Sequence, residues 1–174
     1  MNAHLVFTAI GDDRPGLVGE LARLISEHHG NWLHSSMAQL AGKFAGIVEV
    51  SVDEANSAAL KHALGQFTGL KVTIESAVGE KSALAGRRMK LSLVGHDRIG
   101  IVREVSQVLA RFAVNVENLA TRISSAPMSA EVLFHAEAEL TADKTLDAAS
   151  LIAELERISN DLMVDIALDE TIRG

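Results

Sequence analysis

The chain has 174 residues, 48% hydrophobic and 22% charged, ample apolar material for a packed core, and it contains no cysteine. The missing cysteine excludes disulfides, thiolate zinc sites, iron–sulfur clusters and a cysteine nucleophile. Net charge is −7, with 5 Lys+Arg against 9 Asp+Glu in residues 1–80 and 11 against 14 in residues 81–174, and there is no Tyr, so neither half offers a basic or stacking surface for nucleic acid.

The N-terminus, Met1-Asn2-Ala3-His4-Leu5, has no basic segment leading into an apolar stretch, and no run of about 18 apolar residues occurs. The expectation is a cytoplasmic protein without membrane association. Leu5 to Ile10 is a short apolar run that predicts a strand. Leu17, Leu21, Leu24, Ile25 and His28 then recur at helical spacing, with Asp13 as the expected N-cap and Pro15 in the expected first turn. Trp32–Leu40 and Gly46–Val52 predict a hairpin through Ala41-Gly42-Lys43, in which Val48, Val50 and Val52 alternate inward. Leu60, Ala63, Leu64 and Phe67 predict a second helix, and Leu70–Ser76 a last strand.

The pattern then repeats. Gly11-Asp12-Asp13-Arg14-Pro15-Gly16-Leu17-Val18 overlays Gly95-His96-Asp97-Arg98-Ile99-Gly100-Ile101-Val102 at a shift of 84 residues. The same shift pairs Glu20 with Glu104, Asn31 with Asn115, Val48 with Val132 and Val50 with Phe134. The helical stripe recurs as Ile101, Val105, Val108, Leu109 and Phe112, and Leu151, Leu155 and Ile158 stand for the second helix. Leu70–Ile74 matches Leu162–Ile166 at a shift of 92, so copy two carries about eight extra residues, expected within Leu140 to Ser150, and Leu162–Leu168 is its last strand. The Gly-bounded polar stretch around Gly79 to Arg88 suits a linker. The reading is α+β: two ferredoxin-like βαββαβ modules, residues 1–79 and 88–174, joined by residues 80–87. Units of about 80 residues are near the lower limit for independent folding, so pairing of modules or chains is expected.

The repeated Asp-Arg-Pro-Gly turn resembles the ACT domain, and two such modules in tandem resemble the glycine cleavage system transcriptional repressor family. Copy two differs from the motif at Ile99, where proline is usual, and at His96, where copy one has Asp12. The resemblance implies a regulator that senses a small amino acid such as glycine at interfaces between paired modules. It also implies control of transcription through a protein partner, such as an activator, rather than by direct DNA binding, and it allows a homodimer. The ligand residues it implies are Asp13, Arg14, Gly16, Leu17 and Asn31 in copy one, and Asp97, Gly100, Ile101 and Asn115 in copy two. A ligand-independent interaction module, or the detached regulatory part of an amino-acid or folate enzyme, are the alternatives.

Physical chemistry gives these residues two readings. A free amino acid needs an anion acceptor beside a cation acceptor; a helix N-terminus supplies the first, Asp13 or Asp97 the second, and Asn31 or Asn115 can donate and accept. Gly16 and Gly100 would let a ligand approach the helix amides closely. The blander reading makes each Asp a helix cap and each Asn a turn residue. Arg14 and Arg98 suit a surface ion pair or a partner contact, and Trp32 suits the core or a pocket floor. The seven His include no spacing for a metal site, and no ligand spacing joins Asp12 and Asp13 to Asp53 or Glu54. His96 is the titratable group to watch beside the second turn. No Gly-x-Ser-x-Gly elbow, Walker loop or dinucleotide turn is present, so neither catalysis nor a cofactor is expected.

Overall fold

The computed structural model describes residues 2–77 and 86–168. The chain divides into two compact units, residues 1–81 and 82–174. The first runs β1 (Asn2–Asp12), α1 (Leu17–Glu27), β2 (Asn31–Leu40), β3 (Lys43–Asp53), α2 (Glu54–Gly65) and β4 (Leu70–Ala77). The second repeats it as β5 (Arg87–His96), α3 (Ile101–Arg111), β6 (Asn115–Ser125), β7 (Val132–Ala142), α4 (Ala148–Glu156) and β8 (Met163–Leu168). Each forms an antiparallel four-stranded sheet, ordered β2-β3-β1-β4 and β6-β7-β5-β8. These are the two βαββαβ modules. Most of the expected linker, residues 80–85, lies outside the described residues; its last residue, Arg87, opens β5 opposite Ala142.

Alternation builds the first core. Leu5, Phe7 and Ala9 of β1 and Val48, Val50 and Val52 of β3 share one sheet face, each at most 2% exposed. Leu17, Leu21 and Ile25 of α1 and Leu60 and Leu64 of α2 cover that face, with Trp32 and Met37 of β2 packed against them. Ala41 (φ 50°) and Gly42 (φ 78°) form the two-residue hairpin turn, both in the left-handed region that such a turn requires.

Two expectations are corrected. Asp13 and Asp97 do not cap their helices: the N-caps are Gly16 and Gly100, both at φ 91°, and neither helix has a side-chain cap. Pro15 therefore belongs to the turn ahead of the cap rather than to the helix, a position its fixed φ also suits. The second correction concerns the extra residues of copy two. Gly11 pairs with Phe44 and Gly95 with Phe134, so the structural counterparts in β3 and β7 stand 90 positions apart, and Val48 corresponds to Ala138 rather than Val132. Six of the additional residues thus lengthen the β6–β7 hairpin, where Ser125 pairs with Val132 and the Ala126 N–H donates to the Glu131 carbonyl at 2.9 Å. The buried helix pairs Leu60, Leu64 and Leu151, Leu155 stand 91 apart, and Leu70 and Leu162 stand 92 apart, so one residue is added before α4 and one after it.

Candidate functional site

Both copies build the turn between first strand and first helix in the same way. The Asp13 N–H donates to the Gly42 carbonyl at 3.0 Å, and the Asp97 N–H to the Val132 carbonyl at 2.9 Å, leaving both Asp side chains exposed. Only then does the chain turn through the glycine. At φ 91° a side-chain-bearing residue is strained; neither helix start has a side-chain cap, and in α3 the Ile101 N–H donates to the Arg98 carbonyl at 3.4 Å. Gly11 serves a different need: a Cβ there would stand 2.1 Å from the Gly69 carbonyl oxygen where β1 passes the start of β4.

Each arginine folds back on its helix. Arg14 donates twice to Glu20, both bonds at 2.6 Å, and Arg98 donates to Glu104 at 3.0 and 2.6 Å. Hydrogen bonding to the arginine holds each carboxyl below the usual glutamate range, and the same bond raises each arginine. The clasp fixes the turn against the first helical turn and leaves each guanidinium neutralised by its own helix. Glu20 and Glu104 were legible only as a repeated pair; the signal for their role was a Glu six residues after the Arg in both copies. Leu17 and Ile101 point into the cores, 2% and 4% exposed, so a ligand at the turn meets their backbone and not their side chains.

The asparagines lie elsewhere. Asn31 opens β2 and pairs with Ser51, which pairs with His4, whereas the turn follows Asp12, eight residues further along β1. At ~3.4 Å per residue the two ends are about 27 Å apart. Asn115 is likewise aligned with Thr141 and Arg88, eight residues from His96. Within one module, then, turn and asparagine sit at opposite ends of the sheet. The same register separates Asp12, opposite Lys43, from Asp53, opposite Asn2. Among the described residues no three His, Cys, Asp or Glu side chains are placed to hold a metal ion.

Two histidine clusters complete the polar inventory. In module one, Glu49 lies 3.2 Å from His4 Nδ1 and 3.1 Å from His34 Nδ1, hydrogen bonds that lower its carboxyl, His4 contributing most. In module two, His96 stands between carboxylates, Nε2 at 3.2 Å from Glu131 and Nδ1 at 3.3 Å from Asp161. Asp161 also accepts from the Ser159 hydroxyl and, at 2.6 Å, from the His96 N–H, which together lower it to about 2. The longer hairpin of copy two is thus tied to the start of β8 through His96. Copy one has Asp12 at this place, bonded to Lys43.

The fold and the twice-built turn define a class: a tandem of two ACT-like modules of ferredoxin-like topology. An ACT-domain family model matches residues 3–75. The match spans nearly the whole first module, ACT domains being regulatory, and the second module repeats the same topology strand for strand. Among solved structures, the chain is similar to an unknown protein from Galdieria sulphuraria, at 26% identity and a TM-score of 0.81 over 97% of this chain and 99% of that one. It is also similar to a protein provisionally described as a glycine cleavage system transcriptional repressor, at 19% identity and a TM-score of 0.68 over 97% and 99% of the two chains, a likeness of fold. No curated protein matches the sequence. Among the described residues no helix is long and apolar enough to cross a membrane.

Proposed function

We propose that the chain is a non-catalytic regulator that senses a small amino acid, glycine foremost, and controls transcription in the cytoplasm through a protein partner. One observation carries the reading: the same glycine-led, uncapped helix N-terminus, held by the same Arg–Glu clasp, is built twice. Its amides and positive dipole end suit the ligand carboxylate, and Asp13 or Asp97 beside it suits the ammonium. Asn31 and Asn115 join such a site only when another module, of the same chain or of a second copy, brings its asparagine to the turn, because each lies at the far end of its own sheet. A net charge of −7 supports control of DNA through another protein.

Calorimetry of the folded chain against the twenty amino acids tests the reading. Binding of a small amino acid is expected, weakened by about 1–3 kcal/mol in Asp13→Ala and in Asn31→Ala. Absence of binding by every amino acid sinks it. The reading as a ligand-independent interaction module draws on the exposed apolar residues of module two, Leu119, Ile123 and Met128 among them. Thermal melts separate the two: a ligand at 100 times its dissociation constant stabilises by roughly 2.7 kcal/mol, and an interaction module shows no shift.

A further inference from the structure

The two copies differ on both faces of their sheets. On the helix side, Val116 and Thr121 of β6 stand where β2 has Trp32 and Met37, and a cleft of about 30 Å³ remains between α3 and β6, lined by Val102, Val105, Leu109, Leu119 and Phe134. On the opposite face the change is chemical. Register places Arg122 and Ser124 of β6 and His135 and Glu137 of β7 where module one has Ala38, Leu40, Ala45 and Ile47. Four apolar side chains thus become a guanidinium, a hydroxyl, an imidazole and a carboxylate. The Ser124 hydroxyl and His135 Nε2 lie 2.7 Å apart, and Ser124 is exposed. Beside them, Arg122, His135 and Glu137 line a cavity of about 110 Å³ together with Ala120. Neither Arg122 nor Glu137 has an ion-pair partner among the described residues.

From this geometry we infer that Ser124 is a modification site: an activated hydroxyl that takes an acyl group from a thioester, with His135 as its base. A serine hydroxyl is a weak nucleophile until an adjacent base removes its proton, and a hydroxyl–imidazole separation of ~2.6–3.2 Å allows that transfer. With the imidazole proton on Nδ1, Nε2 accepts the hydroxyl proton as Oγ bonds to the thioester carbonyl carbon. The carbon–sulfur bond then breaks, and the imidazolium returns that proton to the departing thiolate. The products are a serine ester and a thiol, with no change in oxidation state. Glu137 on the same cavity favours the transient imidazolium, and the Arg122 guanidinium supplies positive charge for the carbonyl oxygen as it becomes an oxyanion. The acyl group stays on the side chain, so the chemistry is a covalent mark rather than turnover. Exposure alone does not meet these conditions: Ser129 is exposed too, but its hydroxyl donates at 3.1 Å to the Glu131 carboxylate, a far weaker base than imidazole. The inference goes beyond the ligand reading, involves none of the turn residues and stands whether or not an amino acid binds.

The test uses the full chain, which has no cysteine to compete for the acyl group. Incubation with an acetyl thioester, followed by peptide mapping in a mass spectrometer, is expected to place an acetyl group on Ser124 at least about tenfold faster than on Ser129. A fluorophosphonate, which labels activated serine hydroxyls irreversibly, should mark the same residue. His135→Gln keeps a hydrogen-bonding partner for the hydroxyl but cannot take its proton. That variant should slow both labels at Ser124 at least about tenfold and leave Ser129 unchanged. Arg122→Gln should slow acetyl transfer to Ser124 by a smaller factor. Native circular dichroism spectra verify that both variants fold. Equal labelling of Ser124 and Ser129 overturns the inference. So does a folded His135→Gln chain that labels at Ser124 as quickly as its parent, or a Ser124 that takes the fluorophosphonate and never the acetyl group.

Discussion

Trp32 and Val116 occupy the same place in two copies of one module, and the packing around them diverges. In module one the indole and Met37 close the gap between helix and edge strand, and the buried residues form one continuous cluster. In module two Val48 and Val52 are replaced by Ala138 and Ala142, and Met37 by Thr121, while Phe7 becomes Leu91. Its core falls into two clusters, one around Met89, Leu140 and Leu151 and one around Leu93, Ile101 and Phe134. Topology and the glycine-led turn survive these exchanges, so what the two copies share is set by backbone pattern and turn chemistry. What separates them is the volume on the edge strand, and that decides whether the edge is sealed or available.

Exchanging the edge residues tests that contrast most severely. Trp32→Val should open in module one the cleft that module two already has, costing about 2 kcal/mol because the indole is only partly buried. Val116→Trp should instead stabilise module two by about 1 kcal/mol by filling its cleft. Chemical denaturation of the two variants reads both signs, and equal effects would erase the distinction. Next in size, Gly16→Ala and Gly100→Ala should each cost about 1–2 kcal/mol, since both place a side chain at φ 91°; similar values would show that the turns are equivalent. Arg14→Ala and Arg98→Ala should have the smallest effects on stability in the same denaturation measurement, the clasps being solvated.

The last difference is silent at neutral pH. Asp161, held at about 2, is an ionised carboxylate stabilised in the folded state, so its contribution is present above the ordinary aspartate range and is lost as pH falls toward 2. Module one has Gly69 at the corresponding place, as Leu70 and Leu162 align. Acid titration followed by circular dichroism should therefore show a component between about pH 4 and 2 that Asp161→Asn removes.

Much of this was legible in the sequence because helical stripes and strand alternation are properties of local spacing. Leu17, Leu21 and Ile25, and Val48, Val50 and Val52, are buried as their periods require. The misplaced insertion has an equally physical cause. Shifts of 84 and 90 differ by an even number, and a strand has period two, so Val132 and Phe134 fit the inward pattern of Val48 and Val50 as well as Ala138 and Leu140 do. Only sheet register distinguishes them. The cap was missed because an Asp before a stripe is a good local signal, whereas Gly16 caps through its backbone conformation, which composition does not display. The separation of Asn31 from the turn was hidden for another reason: residues 18 positions apart reveal nothing of a helix that carries the chain back to the far end of the sheet.

That separation has a thermodynamic consequence. A ligand bridging a turn and an asparagine about 27 Å apart in one module is shared between two modules, and where these belong to two copies of the chain its apparent affinity depends on protein concentration as well as its own. Reciprocity then requires the ligand to tighten the assembly by the same factor by which assembly tightens the ligand. Dilution alone would then act as an antagonist, releasing the amino acid without any competitor.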